Sequence, residues 1–470
     1  MAFDDLRSFL KHLEGAQGLH RIPVEVDWDL EVGTILRKVF DQRGPALMFE
    51  QVRDSHYPLV AGVMDTYERY AAGIGAEPTI RGILRDIRDR IKNPMASQLV
   101  EDAVCQEEVY TGEQIDITKF PSPKWGNLDG GRYLGTLGLV INKDPETGVQ
   151  NVGIYRLEVK GKNILGYNAT QQTGLTLRKY ERMGKPMPIA VAIGVDPATL
   201  AASCFTVPYG VDELSLAGPL LGHPLQVVKC KTVDLEVPAT AEIILEGTVS
   251  PRLEDWREEG PFGEFTGYYG IKTRNPFIQL TALTHRHDPI LQGTLEGKPP
   301  NESTTLRAIG HTLGTWQKLD RSGLPGIKEV YCTDMGCCNF RTIVAIDRQY
   351  YHGHARQVIE YVWATGFNHK WTIVVDEDID IYDRAQVEWA LSTRVQPHRD
   401  VIVTDQSCIG CNLDPSIPPE DRPYPGTRSS RIGINATTEY KGFEFPPMVQ
   451  PRDEDFARVE SRWREYGFVD

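Results

Sequence analysis

The chain has 470 residues, 40% of them hydrophobic and 25% charged, which excludes a disordered or fibrous protein and favours two or three folded domains. Its 51 basic and 65 acidic residues give a net charge of -14, and a field of that sign disfavours nucleic acid as a partner. We find neither an apolar run of the roughly 18 residues that cross a membrane nor a cleavable leader, so we expect a cytoplasmic protein without a membrane partner.

The first hundred residues predict a mixed, mostly helical region, which we place over 1–105. Apolar residues recur there at helical spacing, and Gly, Pro and polar clusters separate the periodic segments. The predicted helices cover residues 4–13, 30–40, 67–74 and 79–91.

Strands dominate the middle of the chain, over 106–320. Segments rich in Val and Ile, bounded by Gly, Pro or Asp, predict a mostly antiparallel barrel or sandwich. Helices are predicted near 173–183, 197–203 and 301–316. The predicted strands are YLGTLGLVIN (133–142), NVGIYRLEV (151–159), IAVAIGV (189–195), LQVVKCK (225–231), AEIILEG (241–247) and FIQLTAL (277–283).

Strands and helices alternate in the last part, 321–470, which predicts a small α/β domain followed by a tail helix at 453–466. The predicted strands are EVYC, FRTIVAI, WTIVVDE and DVIVT, and the predicted helices are HARQVIEYVWA and RAQVEWAL. The fold class is therefore a multi-domain α+β or α/β protein.

Two acids in the segment EEGPFGEFTGYYG are candidates for acid–base chemistry. Pro261 and its neighbouring glycines exclude a continuous helix, so the chain turns tightly between Glu259 and Glu264. The turn can bring both carboxylates into one pocket. Alternatively, the segment is a surface turn with two solvated acids.

Arg156 lies among the apolar residues of the predicted strand 151–159. An arginine on an apolar strand face is costly unless an anion pairs with it. That anion is either a structural carboxylate or the carboxylate of a substrate, which the planar guanidinium matches well.

The remaining candidate sites are weaker. Two H-x-H pairs, at 285–287 and 352–354, lack an acid or a cysteine at ligand spacing, so ordinary histidines are favoured. The scattered cysteines favour reduced thiols, and the C-x-x-C at 408–411 has no second pair for zinc. The sequence contains no dinucleotide fingerprint, Walker A or G-x-S-x-G motif. These residues alone leave an enzyme activity open.

Seven segments, in order along the chain, resemble the UbiD family of decarboxylases that use prenylated FMN, which includes the ferulate and protocatechuate decarboxylases. The matches extend from about residue 5 to 465, and an ordered set is more specific than a single short motif. The segments are DGGRYLGT (129–136), NVGIYR (151–156), PYGVDE (208–213), VPATAEIILEG (237–247), EEGPFGE (258–264), FNHK (367–370) and DEDIDIYD (376–383).

The resemblance implies a subunit with three parts. Its central part is a flavin-binding split β-barrel similar to flavin reductases, and its C-terminal α/β part is an oligomerisation domain. The resemblance also implies a homodimer or a homohexamer, and a flavin prenyltransferase as the supplier of the cofactor.

The family's catalytic Arg–Glu–Glu group matches Arg156, Glu259 and Glu264. In this interpretation Arg156 neighbours the cofactor and steers the substrate carboxylate, and Glu259 holds Arg156. Glu264 exchanges the proton at the reacting carbon. An acid with this role is helped by burial, which raises its pKa.

The resemblance also implies that Mn²⁺ or Mg²⁺ holds the cofactor phosphate, with K⁺ nearby. Asn151 and Glu213 match two metal ligands, whereas Gln172 stands where the family has a histidine. An amide oxygen is a neutral hard ligand, so we expect weaker metal retention or a shifted alignment here. The other positions that match cofactor contacts are Ile154, Tyr155, Arg156, Ser203, Cys204, Phe205 and Lys370.

The implied reaction is the reversible, non-oxidative decarboxylation of an aromatic or heteroaromatic acid through a covalent adduct with prenylated FMN, with CO₂ or bicarbonate as the other partner. Ser303 replaces a histidine found in members that act on catechol acids, which argues against a catechol substrate. Arg307 either faces solvent or holds a second anionic group. The substrate-facing positions implied are Leu165, Tyr167, Phe265, Ser303, Arg307 and the loop 407–416.

Two alternatives stay open besides the decarboxylase. One is an oxidoreductase that uses unmodified FMN, although no nicotinamide fingerprint supports it. The other is a non-catalytic subunit of a multi-subunit carboxylase, which would have no need of the three catalytic positions.

Overall fold

The computed structural model describes residues 3–338, 340–366, 368–406, 408–423 and 426–468. Phe367 of the FNHK motif and Ser407 of the loop 407–416 lie outside these ranges. The N-terminal region contains α1 (Leu6–Gly15), β1 (Leu19–Val26), α2 (Glu31–Asp41), β2 (Ala46–Val52), β3 (Leu59–Ala61), α3 (Tyr67–Ile74) and α4 (Ile80–Arg90).

The four predicted N-terminal helices are present, and polar caps fix where three of them begin. Asp5, Thr66 and Thr79 each accept a hydrogen bond from a backbone N–H in the first turn of α1, α3 and α4. The strands β1–β3 were not predicted. β1 is exposed along most of its length, so its sequence lacks the alternation that marks a half-buried strand.

The central region is built on a nine-stranded, mostly antiparallel sheet in the order β6-β9-β10-β17-β14-β11-β7-β8, with β5 also paired to β17. Smaller pairs and short helices complete it. Its strands are β4 (Gln98–Leu99), β5 (Glu108–Thr111), β6 (Tyr133–Gly135), β7 (Leu139–Lys143), β8 (Gln150–Ile154), β9 (Leu157–Gly161), β10 (Ile164–Tyr167), β11 (Met187–Ile193), β12 (Gln226–Lys229), β13 (Glu236–Pro238), β14 (Ile243–Val249), β15 (Arg257–Glu259), β16 (Thr273–Asn275), β17 (Phe277–His285) and β18 (Leu291–Gln292). Its helices are α5 (Gln171–Met183), α6 (Pro197–Ala202) and α7 (Ala217–Leu221).

Two of the predicted central strands are each divided in the structure. The segment 151–159 forms the end of β8 and the start of β9, with Tyr155 and Arg156 between them. The prediction of Arg156 on the apolar face of a continuous strand was therefore wrong. The break frees its side chain from the alternation of the sheet and lets it turn toward buried carboxylates.

The C-terminal region is the predicted α/β unit. Its sheet has the order β19-β20-β21-β25-β22, parallel where β20, β21 and β25 pair and antiparallel at both edges. The elements are α8 (Glu302–Asp320), β19 (Ile327–Cys332), β20 (Arg341–Ile346), α9 (His354–Thr365), β21 (Trp371–Asp376), α10 (Arg384–Arg394), α11 (Pro397–Asp400), β22 (Val401–Val403), β23 (Cys408–Ile409), β24 (Arg428–Ser429), β25 (Ile432–Ala436) and α12 (Asp453–Glu460).

Helix α8 packs tightly on the chain that follows α6. A Cβ on Gly310 would lie 2.0 Å from the carbonyl oxygen of Cys204, and one on Gly314 would lie 2.6 Å from the Thr206 side chain. Only glycine permits this approach, which brings one face of α8 to the functional site. In the described part of the chain, every helix is too short or too polar to cross a membrane.

Candidate active site

A chamber of about 230 Å³ lies where the central sheet, the 203–207 segment and α8 meet. Most of the side chains singled out from the sequence line it. These are Asn151, Ile154, Tyr155, Arg156, Gln172, Ser203, Cys204, Phe205, Glu213, Glu264, Phe265, Ser303 and Arg307.

Arg156 is held between two carboxylates at one end of the chamber. Its Nε and Nη2 donate to the two oxygens of Glu259 at 2.9 and 2.7 Å, and its Nη1 donates to Glu264. Tyr133 and Asn275 also donate to Glu259, at 3.2 and 3.0 Å. Glu259 is fully engaged by these donors, whereas Glu264 faces the chamber.

A tight hairpin carries Glu264 into the chamber. β15 and β16 pair, and the amide of Glu264 donates to the carbonyl of Tyr268 at 3.0 Å. A Cβ on Gly270 would lie 3.1 Å from Oε1 of Glu264, so a glycine there lets the carboxyl pack against the hairpin backbone. The alternative of a solvated surface turn is wrong, because Glu259 and Glu264 are both buried.

Burial sets the protonation of this group. The pKa of Glu264 is raised to about 7, because desolvation and the nearby Glu296 raise it by more than the charge of Arg156 lowers it. Desolvation disfavours the charge on Arg156, but the two carboxylates outweigh this and raise its pKa. Glu264 can therefore hold a transferable proton near neutral pH beside a permanent cation.

Three oxygen-bearing side chains, of Asn151, Gln172 and Glu213, lie at another part of the chamber lining. Glu213 is buried, accepts from the amide of Val152 at 2.8 Å, and has a pKa that burial raises to about 8. Nδ2 of Asn151 is buried without a hydrogen-bond partner in the described residues. Two amides and one carboxylate are the hard oxygen donors that suit Mn²⁺ or Mg²⁺.

The predicted substrate positions divide into two sets. Phe265, Ser303 and Arg307 line the chamber, and the Arg307 guanidinium lies 4.7 Å from the centre of the Phe265 ring. The structure does not bring Leu165 and Tyr167 to the chamber. Both face inward from β10 and are fully buried in the sheet core, where alternate side chains of a strand pack together.

Lys370 lies outside the chamber lining and pairs with Asp414 at 2.8 Å and with the hydroxyl of Ser416 at 2.6 Å. Cys411, Asn412 and Leu413 of the predicted loop 407–416 line the chamber. The sequence analysis missed several other chamber residues, including Asn168, Glu296 and His311. His311 could have been found from spacing, because Ser303, Arg307 and His311 recur every four residues along α8.

Three domain models of one enzyme family match the chain. Residues 10–91, 98–299 and 304–436 match the N-terminal, Rift-related and C-terminal domains of the 3-octaprenyl-4-hydroxybenzoate carboxy-lyases. The chain belongs to the UbiD family. The Rift-related match contains Arg156, Glu259 and Glu264, and the C-terminal match begins two residues into α8.

Solved UbiD-class structures are similar over essentially the whole chain. HmfF from Pelotomaculum thermopropionicum in complex with FMN is 34% identical, with a TM-score of 0.84 over 96% of this chain and 98% of that one. An evolved dimeric form of HmfF in complex with prFMN is 33% identical, with a TM-score of 0.83 over 97% of this chain and 100% of that one. The vanillic acid decarboxylase of Sedimentibacter hydroxybenzoicus, in closed form, is 29% identical, with a TM-score of 0.90 over the full length of both chains.

Proposed function

We propose that this UbiD-family chain catalyses the reversible, non-oxidative decarboxylation of an aromatic or heteroaromatic carboxylic acid. One observation carries the proposal: a buried arginine holds two glutamates, one of which faces the chamber with a pKa of about 7. The related vanillic acid decarboxylase acts on an aromatic acid, which supports this substrate class.

Prenylated FMN is the proposed cofactor, since a related HmfF structure contains prFMN. When bound, it supplies an electron-accepting centre for the carbon that loses CO₂. Asn151, Gln172 and Glu213 would hold Mn²⁺ or Mg²⁺ at the phosphate, and the 203–205 segment would contribute oxygens to K⁺. Lys370 remains a proposed phosphate ligand, which would require it to exchange Asp414 for the phosphate.

In the proposed mechanism, each member of the catalytic group has a separate task. The Arg156 guanidinium orients the substrate carboxylate with those of its five N–H groups that Glu259 and Glu264 do not use. Glu259 fixes the plane of Arg156. Glu264 delivers a proton to the carbon that CO₂ has left, and removes it in the reverse direction.

Arg307 supports a narrower substrate class. It lines the chamber, and no carboxylate lies within 4.0 Å of it in the described residues. The charges of Glu296 and Glu264 favour its guanidinium without a direct ion pair, and an anion bound in the chamber would supply that pair. We propose that the substrate carries a second anionic group, which Arg307 binds while Arg156 binds the reacting carboxylate.

The central sheet is proposed to be the split-barrel flavin domain, and the C-terminal region to be the oligomerisation domain of a homodimer or homohexamer. The tail supports the second proposal. No residue of α12 is buried, and the tail from 440 onward exposes large apolar side chains. A second copy of the chain would cover this surface, as such a patch is otherwise exposed to water.

The experiment that tests the function uses protein co-expressed with a flavin prenyltransferase. Aromatic and heteroaromatic mono- and diacids would be incubated with it, and CO₂ release and exchange of ring hydrogen for deuterium would be measured. We expect both signals for at least one acid without a second type of subunit. Exchange only after addition of another subunit would favour the accessory role, and a chromophore with the mass of plain FMN would favour the oxidoreductase.

A further inference from the structure

A second cavity lies directly behind the catalytic hairpin. It is an open groove of about 560 Å³, lined by α2 and by the segments 262–269 and 295–298. Two residues, Phe262 and Glu296, line both this groove and the chamber. The groove and the chamber therefore share a wall that these two residues form.

Glycines next to the two residues leave open space around the wall. A Cβ on Gly297 would meet nothing within 4 Å, and one on Gly263 would meet only the carbonyl oxygen of Glu296, at 3.6 Å. Phe262 is fixed in place, with its ring centre 4.2 Å from that of Tyr133. Glu296 is thus the ionisable side chain of the wall.

One carboxyl oxygen of Glu296, Oε2, is buried and has no hydrogen-bond partner in the described residues. Burial raises the pKa of Glu296, whereas the charge of Arg307 and a hydrogen bond with Ser303 lower it. The other ionisable groups that its charge influences are Glu264 on the hairpin and the thiols of Cys204 and Cys338.

The proposed reaction creates a need for such a group. Each decarboxylation converts a carboxylate and one proton into a C–H bond and CO₂, so Glu264 loses its proton once in every turnover. Substrate and cofactor bound in the chamber would displace its water. A route to solvent that does not pass through the filled chamber would let Glu264 regain its proton before the product leaves.

We propose that Glu296 carries protons from the groove to Glu264. The inference rests on the proposed function. After CO₂ leaves, the electron pair of the broken C–C bond takes the Glu264 proton. The Glu264 carboxylate then takes the proton of Glu296, directly or through one water, and Glu296 takes a proton from water in the groove. In the carboxylation direction the same protons move outward.

The test compares single-turnover with steady-state kinetics in cofactor-loaded wild type and Glu296→Gln. The variant keeps the first turnover within about twofold of wild type, because Glu264 is already protonated. Its steady-state rate falls at least tenfold, and acetate or imidazole buffer restores it in proportion to the buffer concentration. Infrared spectra of the cofactor-free proteins over a pH titration give an independent readout: one protonated-carboxyl band that titrates in wild type is absent from the variant.

Glu258→Gln is the matched control, since Glu258 is exposed and pairs with Lys272 at 2.7 Å, away from the chamber. A second variant protects the test against a folding failure of the first. Thr34 lies on the exposed face of α2 and lines the groove. Thr34→Trp fills the groove from outside, so it should lower the steady-state rate and leave the first turnover unchanged. Thr34→Ala leaves the groove open and should change neither rate.

The other outcomes overturn the relay. A steady-state rate equal to wild type shows that Glu296 is dispensable, and loss of the first turnover without buffer rescue assigns it to substrate positioning or to structure. A rise in KM alone makes it a specificity residue. Absence of CO₂ release from wild type contradicts the proposed function, and the relay with it, so the two failures are distinguishable.

Discussion

Glu259 accepts hydrogen bonds from two of the three guanidinium nitrogens of Arg156 and leaves the third nitrogen to Glu264. The Glu259 oxygens lie 2.9 Å from Nε and 2.7 Å from Nη2, and Nη1 donates to Glu264. A bidentate pair fixes the plane of the guanidinium. Because Tyr133 also donates to Glu259, that carboxylate has little freedom to exchange a proton. The arrangement assigns positioning to Glu259 and leaves proton transfer to Glu264.

Glu264→Gln should abolish most of the activity and leave binding intact. The amide keeps the shape and the hydrogen bond to Arg156 but has no transferable proton. We expect turnover to fall by about 10²-fold or more, as is typical when a general acid is lost. CO₂ release and the flavin absorbance of the purified protein measure the two properties. Near wild-type turnover with cofactor in place would remove Glu264 from its proposed role.

The stability of the cofactor-free protein should depend on the protonation of Glu264. Its pKa rises from 4.5 to about 7 on folding, so the folded state binds more protons than the unfolded state between these values. The stabilisation of the folded protein by protonated Glu264 is full below pH 4.5 and is lost as the pH rises through 7. Urea unfolding at pH 5 and pH 8 measures the free energy of unfolding. Its decrease from pH 5 to pH 8 should be larger in wild type than in Glu264→Gln, by at most about 3 kcal/mol. Equal losses would contradict the raised pKa.

Gln172→His should strengthen metal binding. Imidazole binds first-row divalent ions better than an amide oxygen does, and Gln172 lies in the lining with Asn151 and Glu213. Calorimetric titration of the cofactor-free protein with Mn²⁺ should show a lower Kd, whereas Glu213→Gln should raise it. The same Kd in wild type and Gln172→His would mean that another residue completes the site.

Arg307→Leu should discriminate between diacids and monoacids. Loss of a hydrogen bond to a charged group costs about 1.5–3 kcal/mol, so kcat/KM for a substrate with a second anionic group should fall roughly 10- to 100-fold. A monoacid of the same ring should be affected much less. A similar loss for both acids would indicate that Arg307 supports the chamber wall through its contact with Phe265.

Charges introduced into the tail should weaken self-association. Phe456 lies on α12 and Trp463 lies just beyond its end, and both are exposed in the structure. The double variant Phe456→Asp, Trp463→Asp should reduce the mass measured by light scattering on a sizing column. Arg458→Asp, on the other side of α12, is the control and should leave the mass unchanged. An unaltered mass in the double variant would exclude the tail as the contact.

Local pattern was sufficient for much of the fold. The helix over Tyr67–Ile74 and the C-terminal α/β alternation follow from apolar periodicity and from caps such as Thr66, which act within a few residues. The exposed strand β1 has no alternation of apolar and polar residues, since that pattern appears only where one face of a strand is buried. The motifs with Arg156, Glu259 and Glu264 were recognised in the sequence for a different reason, since their chemistry requires fixed residue types.

Only the tertiary structure decided which of these side chains meet. Leu165 and Tyr167 lie on β10 beside the site but face the sheet core, whereas Arg156 reaches Glu259 because the chain breaks between β8 and β9. The position of Glu296 between groove and chamber depends on α2, the hairpin and α8, which are remote in sequence. The sequence by itself determined the family and the residue types of the catalytic group. Burial, and with it the pKa of about 7 of Glu264, arises only when distant segments exclude water from the same carboxyl.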